Sequence, residues 1–227
     1  MIKAAGLNKS FGQGEAVTRA LKNIDLEILS GEMVSIMGPS GCGKTTLLQV
    51  LSGIERPDDG EVLFAGQIIN QMKDGQLSAL RLEKMGFVFQ TYHLVPVLTA
   101  AENVELPLIA QGVSPKEVKR RAREALEKVG LLEKENKYPY QLSGGQNQRV
   151  ALARAIIGNP KVLWADEPTG ALDSDTGAQM TGLLTLINRT MGTTVVIVTH
   201  DPKIAAATSR TILMENGRIV QGGRTRA

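Results

Sequence analysis

The stretch from Gly38 to Thr45 combines residue types and a spacing that suit the binding of phosphate. Its sequence, GPSGCGKT, satisfies the pattern G-x-x-x-x-G-K-S/T. Glycines let backbone N–H groups wrap around a phosphate, Lys44 can reach β- and γ-phosphates, and the Thr45 hydroxyl can bind Mg²⁺. The chain is therefore predicted to bind a nucleoside triphosphate. The residues predicted to hold its phosphates are Gly38, Pro39, Ser40, Gly41, Cys42, Gly43, Lys44, Thr45 and Thr46.

The flanking sequence places this loop between a strand and a helix. Residues 33–37 form an apolar run typical of a buried strand, and residues 46–51 are predicted as a helix. The positive N-terminal end of that helix would point at the bound phosphate. A glycine-rich turn that matches by chance does not require this context, so the phosphate loop is the better interpretation.

Two further predicted strands end in residues that can do chemistry. The apolar run 162–165 leads into Asp166 and Glu167, and the run 194–199 leads into His200. Asp166 is suited to hold Mg²⁺ through water, and Glu167 can polarise a water in line with the γ-phosphate. His200 would contact that phosphate and water, because sheets of this kind bind ligands at the carboxyl ends of their strands. The predicted catalytic residues are Lys44, Glu167 and His200.

A second anion-binding feature lies at residues 142–146, whose sequence is LSGGQ. Ser143 can cap a helix that runs to Ile157, which leaves the first N–H groups of the helix beside Gly144 and Gly145. A simple phosphate-loop kinase or GTPase has no need of this element. The chain is thus predicted to carry two phosphate-binding helix ends, far apart in sequence.

The strand patterns predict an α/β scaffold. Ile2 and the residues after it are expected to form a short edge strand, and residues 21–28 alternate as a half-buried strand does. Short strands are predicted at 62–64 and 85–89. Residues 212–220 are predicted as a hairpin, because an Asn-Gly pair favours the tight type I′ turn.

From about residue 100 to 159 the sequence predicts helices and no strand. Apolar positions at helical spacing begin at Pro115, and Gly130 is expected to end that helix. This part is interpreted as a helical lobe inserted into the α/β core. The chain is predicted as one domain, 1–227, with an α/β core and β subdomain at about 1–95 and 160–220 and a helical subdomain at about 96–159.

Composition narrows the function classes. The 227 residues are 42% hydrophobic, with a net charge of +3, which favours neither a nucleic-acid partner nor strong attraction to a membrane surface. No apolar run reaches the roughly 18 residues of a membrane span. The single cysteine, Cys42, excludes an internal disulfide and is compatible with a reducing cytosol. If solvent reaches Cys42, its position near a helix N-terminus and Lys44 predicts a reactive thiol. A bulky group added to this thiol would then inhibit hydrolysis of the nucleoside triphosphate.

These motifs together resemble the ATP-binding cassette (ABC) family of transporter ATPase subunits, from Ile2 to about Val220. The branch that includes LolD, MacB and FtsE is the most similar, on the sequences GFVFQ at 86–90, ENVELPL at 102–108 and DEPTGALDS at 166–174. The resemblance implies the ABC ATPase fold: an α/β, RecA-like phosphate-loop NTPase core with a mostly parallel sheet, an antiparallel β edge subdomain and an inserted α-helical subdomain.

The resemblance also implies roles for residues outside the phosphate loop. Gln90 is similar to the glutamine that senses Mg²⁺ and contacts the membrane subunit, and Asp173 ends the D-loop. Phe11 falls where the family stacks an aromatic ring on adenine, more often tyrosine, so the stacking face is kept without the hydroxyl. Cys42 and Asn147 stand where other residues are more usual. The implied nucleotide contacts are Phe11, Gln90, Ser143, Gly144, Gly145, Gln146 and Asp173, and the implied Mg²⁺ ligands are Thr45, Gln90 and Asp166.

The resemblance implies partners as well. Two copies would dimerise head to tail around two ATP and drive a separate integral membrane permease of the MacB, LolC or FtsX type, from a cytoplasmic position on the inner face of the membrane. The system would export or extract lipoproteins, peptides or drugs. An FtsE-type ATPase that regulates a cell-envelope enzyme without transport is an open alternative. ATPases of DNA repair or translation fit less well, because they carry inserted coiled coils or two cassettes.

Overall fold

The computed structural model describes residues 1–12 and 17–223. Its strands are β1 (Ile2–Phe11), β2 (Thr18–Ile28), β3 (Met33–Met37), β4 (Asp59–Phe64), β5 (Gln67–Ile68), β6 (Met85–Phe89), β7 (Val162–Asp166), β8 (Thr194–Val198), β9 (Arg210–Glu215) and β10 (Arg218–Gln221). Its α-helices are α1 (Lys44–Leu51), α2 (Asp74–Lys84), α3 (Ala100–Ala110), α4 (Pro115–Lys128), α5 (Gly144–Ile156), α6 (Ser174–Met191) and α7 (Pro202–Ala206). Single-turn 3₁₀ helices lie at Leu132–Lys134 and Pro139–Gln141.

The central sheet has six strands in the order β10-β9-β3-β8-β7-β6. All neighbours are parallel except β10, which pairs antiparallel with β9. β8 is buried along its whole length, as expected for a strand covered on both faces. Because β3, β7 and β8 run in one direction, the residues after Met37, Asp166 and Val198 meet at one edge of the sheet.

A second, antiparallel sheet has the order β2-β1-β4-β5. The expectation of a short edge strand at Ile2 is wrong: β1 has 10 residues and pairs on both sides, with Ile2 opposite Ile28 of β2 and Phe64 of β4. β2 follows β1 directly in the chain, but β4 lies far along it, so local sequence does not reveal an interior position.

Two hydrophobic clusters hold the layers together. One joins the antiparallel sheet to α1 and one face of the central sheet, with Trp164 among its buried members. The other joins α3, α4, α5 and α6 to the opposite face of the central sheet. Helices α3 to α5 all lie between β6 and β7 in the chain. The predicted fold class is confirmed.

Several elements agree with the sequence patterns and two helices were not predicted. α4 begins with Pro115, and Gly130 follows its end at φ +69°. Asn216 and Gly217 both have positive φ in the β9–β10 turn, as a type I′ turn requires. α2 and α7 have no counterpart among the predicted helices, and α3 lies in the stretch predicted as helical without bounds of its own. Within residues 1–12 and 17–223, none of the helices is long and apolar enough to cross a membrane.

Candidate nucleotide site

The phosphate loop needs its glycines because other backbone approaches it closely. Gly43 has φ +103°, and a Cβ there would lie 2.4 Å from the carbonyl oxygen of Ala20. A Cβ on Gly38 would lie 2.1 Å from the carbonyl oxygen of Met214. Any side chain at either position would therefore push the loop away from β2 or β9.

Lys44 and Thr45 begin α1 and hold the loop to the end of β7. The Lys44 ammonium donates hydrogen bonds to the carbonyl oxygens of Gly38 and Pro39, both at 2.9 Å, and its side chain is buried. The Thr45 hydroxyl donates to the Asp166 carboxylate at 3.1 Å. The two motifs, 121 residues apart, thus share one hydrogen bond.

Asp166 is a carboxylate in a partly buried position. Burial raises its pKa, and the nearby Glu167 charge acts in the same direction, while the hydrogen bond from Thr45 and the charge of Lys44 oppose the shift. Among the described residues no group of three or more His, Cys, Asp and Glu converges on a metal position. A hydroxyl and a carboxylate are nevertheless oxygen donors that suit Mg²⁺, which keeps most of its coordination for water and phosphate.

Glu167 follows Asp166 in a conformation that is rare for its residue type. Its φ is +47°, and its backbone N–H donates to the carbonyl of Val198 at 2.9 Å. Its carboxylate lies 3.0 Å from Nδ1 of His200. The carboxylate only accepts hydrogen bonds when ionised, so Nδ1 carries the hydrogen in this contact. The Glu167 side chain is 19% exposed and that of His200 73%.

One cavity of about 570 Å³ brings most of the predicted catalytic and phosphate-binding residues together. The predicted residues that line it are Ser40, Gly41, Gly43, Lys44, Thr45, Thr46, Gln90, Glu167 and His200. The lining residues that sequence reasoning missed are Thr18, Arg19, Ala20, Lys22, Asn216 and Gly217. The Asn-Gly turn was recognised as a hairpin, but no local signal placed it beside the phosphate loop.

Cys42 lies on the inner side of this loop. It is 6% exposed and belongs to the hydrophobic cluster under α1. Its carbonyl accepts a hydrogen bond from Gly217 N–H at 3.0 Å. The prediction of a reactive thiol required access from solvent, and the Cys42 side chain is buried in this structure. The structure therefore gives no support to inhibition by thiol reagents.

Phe11 ends β1 opposite Thr18, which lines the cavity. Phe11 is 43% exposed, and the Lys9 ammonium lies 5.3 Å from the centroid of its ring. Lys9 is fixed in turn by Glu55 at 2.7 Å. Phe11 is itself not among the residues that line the cavity, but it lies across the β1–β2 pair from one that does.

Ser143 and its neighbours line a different cavity, of about 510 Å³. Ser143 caps α5 as predicted: its hydroxyl accepts from Gln146 N–H at 3.3 Å, and Gln146 Oε1 accepts from Ser143 N–H at 3.0 Å. Gly145 lines the same cavity, and Gly144 begins α5. Among the described residues that line this cavity, none belongs to the phosphate loop.

Asp173 also lies apart from the phosphate loop. It is the N-cap of α6, with its carboxylate accepting from the N–H groups of Asp175 and Thr176. These hydrogen bonds, that from Thr176 first, lower the pKa of Asp173. The single chain therefore brings neither Ser143 nor Asp173 to its own phosphate loop.

The phosphate loop, the acidic pair at the end of β7 and the histidine after β8 define a phosphate-loop nucleoside triphosphatase. The family model described as ABC transporter matches residues 21–170. The chain belongs to the ABC transporter family, as an ATP-binding subunit with an ATPase cassette.

Three relatives illustrate the match. The lipoprotein-releasing system ATP-binding protein LolD of Bacteroides thetaiotaomicron is 48% identical, over 96% of this chain and 99% of that protein. The macrolide export ATP-binding/permease protein MacB 1/2 of Paracoccus denitrificans is 45% identical over all of this chain, which spans 34% of that protein. The solved dimer of the ATP-binding cassette MJ0796 bound to ADP and Pi, in a post-hydrolysis state, aligns over the whole of both chains with a TM-score of 0.91 and 44% identity.

Proposed function

We propose that two copies of this chain form a head-to-tail dimer that hydrolyses ATP at two shared sites. The observation that carries the proposal is the separation of the two anion-binding features. The phosphate loop and the Ser143 helix end line different cavities of one chain. A two-fold axis brings each loop against the partner's Ser143 with a single kind of contact. The dimeric MJ0796 cassette supports this arrangement.

The residues in and around the first cavity would have separate roles in each site. Backbone N–H groups of the loop and the Lys44 ammonium bind the phosphates, and Phe11 stacks on the base. Thr45 and Gln90, which line this cavity, and Asp166, which is hydrogen-bonded to Thr45, would hold Mg²⁺. When bound, this cation neutralises charge on the β- and γ-phosphates.

Glu167 would act as the general base. Its carboxylate orients the attacking water and accepts a proton from it, and the His200 Nδ1 contact at 3.0 Å fixes the carboxylate. The left-handed backbone at Glu167 aims this carboxylate into the cavity that Lys44 also lines. Ser143 of the partner subunit and the start of its α5 would close the site over the γ-phosphate.

We expect the two chains of the dimer to close around ATP and to open after hydrolysis. A membrane permease is the partner proposed to receive this motion. An open groove of about 350 Å³ lies beside β6, lined mostly by apolar groups that include Met85, Phe87, Phe89 and Pro107. Phe89 ends β6 and directly precedes Gln90, so a helix docked there would touch the strand that leads into this site residue. The groove lies between the core strand β6 and the helices of about 96–159, which we propose move as a subdomain. The LolD and MacB relatives support a partner of the MacB, LolC or FtsX type and export or extraction of lipoprotein, peptide or drug.

The replacement Glu167→Gln tests the chemistry and the assembly together. It keeps the shape of the side chain and removes the charge that accepts the proton, so we expect hydrolysis to fall by about 10²- to 10⁴-fold while ATP binding is kept. Unhydrolysed ATP should hold the two chains together, giving an ATP-dependent dimer on size exclusion. Hydrolysis by this variant at the wild-type rate would exclude Glu167 as the base, and a persistent monomer would contradict the shared site.

A further inference from the structure

We propose that Gln148 is a positioning residue that links the helix begun by Ser143 to the hydrolytic residues of its own chain. The inference rests on the proposed function and adds a structural link through which one nucleotide site of the dimer can affect the other. Gln148 lies on α5 and is 1% exposed, so it contacts neither nucleotide directly.

The amide of Gln148 reaches two backbone segments of the nucleotide site at once. Its Nε2 donates to the carbonyl of Phe89 at 3.2 Å and to that of Pro168 at 2.7 Å. Phe89 precedes Gln90, and Pro168 follows Glu167. Its Oε1 is buried with no partner among the described residues, and turning the amide over would set an acceptor against two acceptors. Only the observed orientation satisfies both carbonyls.

The contact with Pro168 matters because Glu167 holds a costly backbone conformation. A non-glycine residue at φ +47° stays there only when its surroundings fix it. Glu167 N–H donates to Val198, and Gly170 N–H donates to the carbonyl of Glu167 at 3.0 Å. The bond from Gln148 fixes the next peptide unit, so it completes the restraint on the proposed base.

The same helix carries the contact to the partner's nucleotide. Ser143 is the N-cap of α5, and Gln148 lies little more than one turn further along it. α5 also packs tightly on β6, because a Cβ on Gly86 would lie only 2.2 Å from the carbonyl oxygen of Ala155. Engagement of Ser143 by the partner's ATP is therefore transmitted to Gln90 and Glu167 through Gln148.

The test compares Gln148→Leu with Gln111→Leu in the full-length chain. Gln111 is the control: it is a partly buried glutamine whose Nε2 donates to one backbone carbonyl, that of Leu82, at 2.8 Å, and it lines neither anion cavity. We expect Gln148→Leu to lower kcat by at least about 10-fold with ATP affinity within about twofold of wild type, because misplaced groups slow chemistry more than binding. Gln111→Leu should keep the wild-type kcat.

Two further variants separate positioning from damage to the fold. Gln148→Leu in a Glu167→Gln background should still form the ATP-dependent dimer. Gln148→Glu keeps the size but, when ionised, offers no donor, so its kcat relative to wild type should rise as pH falls and the acid regains its hydrogen. This pH dependence is the readout if Gln148→Leu does not fold.

Three outcomes would overturn the inference. They are an unchanged kcat in Gln148→Leu, an equal loss in Gln111→Leu, or loss of ATP affinity and dimer in parallel with kcat. A Glu167→Gln chain that forms no dimer around ATP would instead contradict the proposed function, so the two failures are distinguishable.

Discussion

At the scale of single residues, Asp166 shows a conflict between function and stability. Its carboxylate is proposed to hold Mg²⁺ at the end of β7, where Thr45 donates to it, yet burial disfavours its charge. The pKa in the folded chain is therefore raised above that in the unfolded chain. Such a group stabilises the fold less once it is ionised.

We expect Asp166→Asn to raise the melting temperature of the nucleotide-free protein at pH 7. Asparagine keeps an acceptor for the Thr45 hydroxyl and has no charge to bury. Because the pKa of Asp166 is higher in the folded chain, the folded chain binds a proton more readily than the unfolded chain, and wild-type stability rises as pH falls through the raised pKa. Below about pH 4, the ordinary pKa range of Asp, the carboxyl is protonated in both states, so the advantage of Asn should vanish. Thermal unfolding across pH, without Mg²⁺ or ATP, measures this.

The control is Asp74→Asn, since the Asp74 side chain is 93% exposed and its loss removes no burial penalty. It should show no such gain at pH 7. A melting temperature for Asp166→Asn at or below that of wild type at pH 7 would mean that Thr45 and Lys44 outweigh the burial of the charge.

The sequence identifies residues whose role depends on a local motif, and it misses those defined by distant contacts. Lys44, Glu167 and His200 stand at recognisable places after strands, and all three line one cavity. Gln148 is bound to carbonyls 59 and 20 residues away, and Lys22 reaches the cavity from another sheet. No short pattern encodes such contacts.

At the scale of elements, local sequence predicts those that carry a clear apolar pattern and misses those that do not. β3 and β6 match their predicted bounds, because a continuous apolar run marks each of them; β3 is buried along most of its length, whereas Phe87 and Phe89 of β6 stay partly exposed. α2 escaped prediction because Leu77 is its one fully buried residue, so it carries no apolar stripe. The interior place of β1 depends on β2 and β4 together, which is a property of the sheet and not of the strand.

Two helices offer a comparison between a structural cap and one proposed to act in catalysis. α5 and α3 each begin with a capping box, Ser143 with Gln146 and Thr99 with Glu102. We expect Ser143→Ala and Thr99→Ala each to cost about 1 kcal/mol of unfolding free energy. Only Ser143→Ala should also lower ATP hydrolysis, by about 10-fold or more, because its hydroxyl is proposed to meet the partner's γ-phosphate.

Denaturant unfolding and steady-state ATPase assays on both variants decide this. Equal losses of activity would show that Ser143 acts through helix stability alone. Loss of ATP affinity in the isolated Ser143→Ala monomer would place its hydroxyl in its own chain's nucleotide pocket.

At the scale of the whole molecule, the arrangement of the cavities sorts the site residues into two groups. Lys44 and Glu167 line one cavity of a chain, and Ser143 lines the other. In a head-to-tail dimer, each complete site takes the first group from one chain and the second from its partner. Defects in different groups should therefore compensate each other between chains, and defects in the same group should not.

A mixing experiment tests this rule. Lys44→Ala removes the cation that holds the phosphates, and Ser143→Arg obstructs entry of the partner's γ-phosphate, so each homodimer should be inactive. A mixed dimer keeps one intact site, where the Ser143→Arg chain supplies the loop and the Lys44→Ala chain supplies Ser143. Random pairing makes half of the dimers mixed, so an equimolar mixture should recover up to about a quarter of wild-type activity. The matched control mixes Lys44→Ala with Glu167→Gln, both from the first group, and should recover nothing. Recovery in the control, or its absence in both mixtures while the dimers still form, would contradict a site shared between chains.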